Sequence, residues 1–128
     1  MKIIRGKDIN FVPASHEDKK NPQVLKKVLL KRDDLINGRV QMINWAKLPL
    51  GKTFKAHYHE DMEEIFIILN GKTRITIDKE TEELNEGDTV IVPIKEIHMM
   101  ENISPFDVNY IAIGISLCNN GKTVISEK

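Results

Sequence analysis

Three Asn-Gly dipeptides separate segments of strand-like composition, and they constrain the fold of this chain more than any other feature. They are Asn37-Gly38, Asn70-Gly71 and Asn120-Gly121. Asn followed by Gly readily adopts the positive φ angles of a tight type I′ turn, which joins neighbouring antiparallel strands. The pattern therefore predicts three hairpins, in which residues 24–30 pair with 40–45, residues 64–69 with 72–78, and residues 108–117 with 123–126.

The hydrophobic periodicity between these turns is typical of β-strands. Residues 72–78 alternate polar and apolar side chains, as expected for a strand with one wet and one dry face. Residues 65–69 and 110–115 are apolar on both faces, which indicates strands between a core and a second layer or subunit. About nine or ten short strands predict an all-β closed barrel or two-sheet jelly roll, because closure or layering removes exposed strand edges.

The domain organisation follows from length and from the polar N-terminal region. At 128 residues the chain has the length of one domain, and it should bury roughly two-thirds of the surface of the unfolded chain. Residues 1–22 are rich in charged residues and contain two prolines, so they predict an arm that lies over the barrel or across a dimer. Only residues 2–4 and 10–12 could form short strands there. Residues 23–128 form the predicted barrel domain.

Charge and composition exclude several classes of function. Lys plus Arg and Asp plus Glu each total 19, so no net field attracts nucleic acid or an anionic membrane. Residues 1–8 lack an apolar stretch typical of a secretory signal, and no apolar run approaches the roughly 20 residues of a membrane helix. We therefore expect a soluble, cytoplasmic protein. Cys118, the single cysteine, ends an apolar strand and is interpreted as a buried, inert thiol.

Three of the four histidines fall in a pattern suited to a metal ion. His57 and His59 lie two residues apart, so on a strand their imidazoles share one face. Glu64 opens the following apolar strand, and His98 arrives from a separate strand after Pro93. Imidazoles with one carboxylate suit Mn, Fe, Co, Ni, Cu or Zn better than Mg or Ca. Glu63 remains an alternative to Glu64, because the preceding loop is ambiguous by one residue.

Two other motif readings fail on spacing. The segment after His59 has Glu63 where the helical zinc-protease motif His-Glu-x-x-His requires its second histidine. Gly51-Lys52-Thr53 resembles the end of a phosphate-binding loop, but the required upstream glycine is missing from residues 44–46. The sequence therefore predicts neither a zinc protease nor a nucleotide-binding protein.

These residues resemble both sequence motifs of the cupin superfamily. The first motif, Gly-x5-His-x-His-x4-Glu-x6-Gly, is matched by Gly51, His57, His59, Glu64 and Gly71. The second, Gly-x5-Pro-x-Gly-x2-His-x3-Asn, is matched by Gly87, Pro93, His98 and Asn102, with Lys95 in place of the internal glycine. Lysine is less comfortable than glycine if φ is positive there, but the replacement removes no ligand.

The resemblance implies a fold, a cofactor and an assembly. The fold would be a double-stranded β-helix, the jelly-roll cupin barrel of the small single-domain type, with a short N-terminal arm. One divalent transition metal ion per chain, Mn, Fe, Ni or Zn, would be held inside the barrel by four ligands: His57, His59, Glu64 and His98. Small cupins commonly form homodimers, often with N-terminal strands that cross to the neighbour.

Four protein ligands leave one or two coordination positions open, which favours chemistry on a small oxygen-rich metabolite. We expect isomerase- or epimerase-like or dioxygenase-like activity, in which Glu64 shifts between metal ligand and general base. The alternative is a cupin that binds a sugar or other metabolite without converting it. A purely structural metal is the weakest reading, since structural zinc is usually closed by Cys and His ligands.

Strand parity selects candidate substrate contacts. Phe66 shares the parity of Glu64, while Met100 and Asn102 share that of His98, so these three are the predicted substrate-binding residues. Further candidates, each more typical of core packing, are Tyr58, Trp45, Met42 and Tyr110. His16 lies in the polar arm between Ser15 and Glu17 and is interpreted as a solvated side chain, although it could reach a neighbouring subunit's site.

Overall fold

The computed structural model describes residues 1–36, 38–117 and 123–126, and the regular structure in these residues is almost entirely β. The described residues form eleven strands: β1 (Val12–Pro13), β2 (Leu25–Lys31), β3 (Val40–Leu48), β4 (His57–His59), β5 (Met62–Ile68), β6 (Lys72–Ile77), β7 (Glu80–Asn85), β8 (Thr89–Val92), β9 (His98–Asn102), β10 (Val108–Ser116) and β11 (Thr123–Ile125). Two 3-10 helices of one turn each cover Gly6–Asp8 and Arg32–Asp34. None of the helices in these residues is long and apolar enough to cross a bilayer.

The strands form two antiparallel sheets. The six-stranded sheet has the order β1-β2-β3-β10-β5-β8, and the five-stranded sheet has the order β11-β4-β9-β6-β7. Strand β10 lies at the centre of the larger sheet, where Ile111 pairs with Trp45 on β3 and with Ile67 on β5. In the smaller sheet, β9 joins β4 to β6. The predicted all-β jelly roll of the double-stranded β-helix type is confirmed.

The first predicted hairpin is present, but its turn is longer than a type I′ turn. Strands β2 and β3 pair antiparallel, with Leu25 opposite Lys47 and Val28 opposite Asn44. The connection between them contains the 3-10 helix Arg32–Asp34. Asn37 of the proposed turn lies outside the described residues.

The second predicted hairpin is wrong, because the chain changes sheet at Asn70-Gly71. Strand β5 pairs with β10 and β8, whereas β6 pairs with β7 and β9. Asn70 accepts a hydrogen bond from the Asn109 backbone N–H at 2.7 Å and donates one to the Asp107 carbonyl at 3.1 Å. Gly71 has φ of 79°, as an Asn-Gly turn predicts. The dipeptide thus supplies the bend, while residues 107–109 supply the polar partners.

The third predicted hairpin is also wrong. Both edges of β10 are occupied, by β3 on one side and β5 on the other, so no edge remains for the last strand. Strand β11 pairs instead with β4, placing Thr123 opposite His59 and Ile125 opposite His57. Residues 118–122, which include Asn120-Gly121 and Cys118, lie outside the described residues.

The apolar core lies between the two sheets. It is built from thirteen buried residues: Val24, Ala46, Leu48, Phe54, Phe66, Ile68, Ile75, Leu84, Val92, Met100, Val108, Tyr110 and Ala112. The alternation predicted for residues 72–78 is confirmed on β6, where Thr73 and Ile75 are buried while Lys72 and Arg74 are exposed. Along β5 and β10 every second side chain faces this core.

The other face of β5 and β10 forms part of the outer surface of the larger sheet. Most of its half-buried side chains are isoleucines, as the two-sided apolar pattern of these strands requires, with Glu63 and Asn109 near the strand ends. With neighbouring β3 and β8 they make one apolar face, which we call the outer patch: Ile43, Trp45, Ile65, Ile67, Ile91, Ile111 and Ile113. Ile91 and Trp45 are exposed to 58% and 37%.

The N-terminal arm runs along the edge of the larger sheet. Within the arm, Val12 pairs with Lys26 and Pro13 with Leu25 of the same chain. The buried Glu17 then anchors the arm, because its carboxylate accepts hydrogen bonds from the backbone N–H groups of Gln23, Val24 and Lys55. The arm is therefore tied both to the start of β2 and to the segment that leads into β4.

Candidate metal centre

The two histidines of β4 face the barrel interior. His57 and His59 are 2% and 6% exposed, while Tyr58 between them points to the other side of the strand. His57 is the Cα partner of His98 on β9, and His98 is 1% exposed. Strand alternation places His57 and His59 on one face of β4, and the pairing of His57 with His98 adds the third imidazole to the same interior face.

The carboxylate arrives from the other sheet. Glu64 lies on β5 opposite Gly114 and Val92 and is 6% exposed, so its side chain enters the barrel across from the histidines. Glu63, the alternative raised by the sequence, is half-buried with the opposite parity. Glu64 is therefore the glutamate that meets the three histidines.

The four side chains converge on one point. Each of His57, His59, Glu64 and His98 offers one atom to a cluster in which all four atoms lie within 4.8 Å of one another. His59 Nε2 lies 2.5 Å from Glu64 Oε1, and His98 Nε2 lies 3.3 Å from the same oxygen. We refer to these four residues as the histidine-glutamate cluster.

In each imidazole of the histidine-glutamate cluster, the nitrogen Nδ1 has an oxygen atom as its hydrogen-bond partner. His57 Nδ1 lies 2.6 Å from the Lys55 carbonyl, and His98 Nδ1 lies 3.2 Å from the Glu96 carbonyl. His59 Nδ1 lies 3.0 Å from Thr123 Oγ1. A carbonyl requires a protonated Nδ1, so His57 and His98 keep Nε2 free as a lone-pair donor. A hydrogen bond from one ring nitrogen to an oxygen, with the other nitrogen left for the ion, is typical of metal-binding histidines.

Burial and mutual contacts set the protonation of the cluster. Burial lowers the pKa of His57 to about 3, assisted by neighbouring His16 and His98. Burial alone would raise the pKa of Glu64, but its polar contacts with His59 and His98 outweigh burial and lower that pKa. The cluster therefore presents a neutral His57 and an ionised carboxylate at neutral pH, which are the protonation states that metal binding needs.

The cluster fits a transition metal by donor type as well as by geometry. His98 Nε2 is buried and makes no hydrogen bond of good geometry within the described part of the chain, and a buried nitrogen of this kind gains from a metal partner. Three nitrogens and one carboxylate oxygen match Mn, Fe, Ni or Zn, and the donor set contains too little oxygen for Ca or Mg. The predicted residues thus form a candidate metal site in the structure.

A cavity of about 160 Å³ adjoins the cluster. Apolar side chains, including Phe66, Tyr110, Met42 and Ala112, form much of its wall. Of the three predicted substrate contacts, the structure places only Phe66 in this wall. Trp45 is on the outer patch, where its Nε1 donates to Asn109 Oδ1.

Met100 and Asn102 have structural surroundings instead. Met100 is fully buried in the core. The Asn102 side chain donates to the carbonyls of Leu48 and Phe106 and accepts from the Ser104 N–H, at 2.7 to 2.9 Å. Parity along β9 correctly predicts that both face inward, but the cavity does not extend along that strand.

His16 is a site residue that sequence reasoning missed. Its ring stacks on His57 with centroids 3.9 Å apart and planes at 19°, and it lines the cavity. Its side chain is 15% exposed, and its Nε2 lies 3.3 Å from Glu17 Oε2. No local pattern in the arm predicts this position, since it depends on where the arm crosses the barrel.

The turn before His98 has the strain that its sequence predicts. Lys95, at the position of a motif glycine, has φ of 65°. Its backbone N–H donates to the His59 carbonyl at 2.7 Å, which fixes the turn against the strand that carries two cluster histidines. The motif glycines Gly51 and Gly87 also have positive φ, 75° and 86°.

Comparison with known proteins agrees with this architecture. Residues 44–114, more than half of the chain, match the family described as "Cupin domain". The chain belongs to the cupin family. An uncharacterized protein of Methanocaldococcus jannaschii is 34% identical to this cupin over 90 residues, which cover 67% of this chain and 72% of the relative.

Solved structures share the whole barrel. A crystal structure of a predicted oxalate decarboxylase from Thermotoga maritima is 26% identical, with a TM-score of 0.79, and the match covers 91% of this cupin and 100% of that chain. The polyketide cyclase RemF from Streptomyces resistomycificus is 18% identical, with a TM-score of 0.77 over 99% of this chain and 88% of its own. The second likeness is one of fold alone.

Proposed function

We propose that this cupin is a metal-dependent enzyme acting on a small oxygen-rich metabolite. The proposal rests on one observation, the convergence of His57, His59, Glu64 and His98 within 4.8 Å beside a cavity. The reaction class is isomerase- or epimerase-like or dioxygenase-like, and the metal is Mn, Fe, Ni or Zn. A divalent ion held by these four residues would supply Lewis-acid polarisation of a substrate oxygen.

The chain's own groups support chemistry next to such an ion. Glu64 is ionised, and two opposing effects set its pKa: burial raises it, whereas the contacts with His59 and His98 lower it. Glu64 is also the one carboxylate in the histidine-glutamate cluster, and its side chain lines the cavity, so it lies where a general base could reach a bound substrate. We therefore assign the catalytic role to Glu64.

Aromatic side chains lie along one side of this reaction centre. Phe54 lies edge-on to His98, with ring centroids 5.9 Å apart, and Phe66 lies between His98 and Tyr110. These rings form an apolar wall on one side of the cluster, and in such surroundings charge interactions are stronger than in water.

The Thermotoga maritima relative supports a small acid as the type of substrate. That protein is described as a predicted oxalate decarboxylase, and the match covers the whole length of its chain. A cavity of about 160 Å³ is of similar volume to one that holds a benzene-sized molecule of about six non-hydrogen atoms. Both observations favour a compact substrate over a sugar chain.

Metal content tests the first part of the proposal. Protein purified without added metal should contain about one transition metal ion per chain, measured by elemental analysis. Loss of a residue that only hydrogen-bonds to a metal ligand typically weakens metal binding by roughly 10- to 100-fold. Glu64→Ala removes a ligand itself and should weaken metal binding by at least this factor. The matched control is Glu63→Ala on the same strand, which should bind metal normally. Equal metal binding by both variants would contradict the assignment of Glu64.

Turnover tests the second part. The metal-loaded protein should convert at least one member of a panel of small hydroxy acids, keto acids and sugars, monitored by NMR. The double variant His57→Ala, His98→Ala should lose that activity. Activity retained by the double variant excludes a metal-centred mechanism, whereas binding without conversion by the native protein identifies a non-catalytic binding cupin.

A further inference from the structure

The cavity beside the histidine-glutamate cluster contains one lysine or arginine among the described residues. Lys26 lies on β2 opposite Ala46, and both residues line the cavity. The side chain is half-buried, and Ser15 Oγ accepts one hydrogen bond from its Nζ at 2.7 Å. An ammonium group has three N–H donors, so two remain for a ligand.

The surroundings of Lys26 are those of a binding group. Burial lowers the pKa of Lys26, while the negative charge of Glu64 acts in the opposite direction. A divalent ion in the cluster would bring two positive charges, against one negative charge on Glu64. Together with Lys26 the cavity then has an excess of positive charge, which a bound anion would balance.

A second polar group in the same wall is unsatisfied. Asn44 lies on β3 opposite Ala112, and its side chain is 7% exposed. Among the described residues, its Nδ2 contacts only the weak acceptor Met42 Sδ, at 3.3 Å, and its Oδ1 has no hydrogen-bond partner. A buried acceptor without a partner costs free energy, so a ligand that donates a hydrogen bond would remove this cost.

We propose that the cavity binds a small hydroxycarboxylate, whose carboxylate pairs with Lys26 and whose hydroxyl group donates to Asn44. This inference rests on the proposed function and deepens it by naming the substrate class. The cavity volume of about 160 Å³ is enough for a ligand of about six non-hydrogen atoms. Lys26 and Asn44 hold the two ends of the molecule, and the remaining oxygen faces the histidine-glutamate cluster.

Three probe molecules of the same size distinguish the contact with Lys26 from the contact with Asn44. Lactate has six non-hydrogen atoms, lactamide replaces its carboxylate with a neutral amide, and isobutyrate replaces its hydroxyl group with a methyl group. Their affinities for the Mn-loaded protein are measured by isothermal titration calorimetry. The native protein should prefer lactate to both analogues, by roughly 10- to 100-fold over lactamide, since hydrogen bonds between charged groups are the strong ones.

Substitutions at two residues, Lys26 and Asn44, test which contact produces each preference. Lys26→Met should reduce the preference for lactate over lactamide to the part that the metal ion supplies, and Lys26→Arg should restore it. Asn44→Leu should weaken lactate roughly tenfold and leave isobutyrate unchanged. The control Lys72→Met removes an exposed lysine outside the cavity and should bind lactate normally. Circular dichroism of each variant confirms folding.

The outcomes separate this inference from the proposed function. If the native protein takes up no Mn, the proposed metal function fails. If Mn binds normally but lactate and lactamide bind alike, or Lys26→Met matches Lys72→Met, the hydroxycarboxylate proposal alone is overturned. Loss of Mn binding in Lys26→Met would also overturn it, because the lysine would then support the metal site and not the ligand.

Discussion

At the scale of single residues, positive φ angles identify the positions that respond most sharply to substitution. Gly71 has φ of 79°, and a Cβ there would lie 2.7 Å from Ser104 Oγ and 2.8 Å from Val108 Cγ2. Gly51 has a similar φ of 75° with open space around it. The two glycines therefore separate backbone strain from steric crowding.

Gly71→Ala should destabilise the protein more than Gly51→Ala. The Gly51 variant carries only the cost of a left-handed alanine, about 1–2 kcal/mol, whereas the Gly71 variant adds about 1–3 kcal/mol of overpacking. Urea unfolding of both variants measures the difference in the free energy of unfolding. Equal losses would mean that Ser104 and Val108 move aside without cost.

Lys95 offers the opposite test, because its φ of 65° suits glycine. Lys95→Gly should raise the free energy of unfolding by about 1 kcal/mol, since relief of left-handed strain exceeds the added flexibility of the unfolded chain. Lys79→Gly is the control, because Lys79 lies in a turn without positive φ and glycine there should destabilise. Thermal or urea unfolding of the two variants measures the contrast, and a destabilised Lys95→Gly would contradict the account of the turn.

At the scale of elements, the arm acts on the candidate metal centre through Glu17. The Glu17 carboxylate accepts from the Lys55 N–H at 3.2 Å, and the Lys55 carbonyl in turn lies 2.6 Å from His57 Nδ1. Burial raises the pKa of Glu17, but the contact with His16 and the backbone N–H groups outweigh it and lower the pKa below 4.5. The arm thus helps to hold the segment before β4 in place.

Glu17→Gln should lower the free energy of unfolding by about 1–3 kcal/mol, because buried N–H groups lose an acceptor. Since folding lowers the pKa of Glu17, the unfolded chain binds more protons as pH falls below about 4.5, and native stability declines there. The variant should lose this part of the pH dependence. Urea unfolding between neutral and acidic pH measures both effects, with exposed Glu86→Gln as control. An unchanged pH profile would refute the role of Glu17.

The site was more predictable than the strand pairing, for a physical reason. His57, His59 and Glu64 owe their shared interior position to strand alternation, which holds whatever strand lies beside them. The Asn-Gly dipeptides predict positive φ at a turn, but they do not specify the partner strand. At Asn70-Gly71 the bend is correct, and long-range contacts with residues 107–109 decide the direction of the chain.

Residues that reach the site from far along the chain could not be found from spacing. His16 and Lys26 enter the cavity because the arm and β2 pack beside β3, and no periodicity relates them to the histidine-glutamate cluster. Asn44 has correct parity to face inward, but its missing partner is visible only in the packed structure. Motif residues are local, whereas the cavity wall is a product of the complete fold.

At the scale of the whole molecule, the outer patch supports the expected homodimer. All seven of its side chains are uncharged, and a twofold interface would place this apolar face against its own copy, with Lys47 and Glu63 of the same sheet face at its edge. Exposed contiguous apolar patches of this kind commonly mark protein interfaces. We propose that a second copy of this chain covers the outer patch.

Ile91→Glu should convert the dimer to a monomer, because it places a charge in the patch on each subunit. The matched control is Leu50→Glu, since Leu50 is 55% exposed, close to the 58% of Ile91, and lies outside the patch. Sedimentation equilibrium measures the mass of each form. A native protein that sediments as a monomer at all concentrations, or a dimeric Ile91→Glu, would argue against this interface.

The central place of β10 in the larger sheet determines when that sheet can be completed during protein synthesis. Its neighbours β3 and β5 leave the ribosome first, and they cannot be joined until Val108–Ser116 emerges. Until then the nascent polypeptide exposes two open strand edges, which are the kind of surface that pairs with other chains. Chains interrupted before residue 108 should therefore aggregate, and a chaperone that covers strand edges should improve the yield of intact protein.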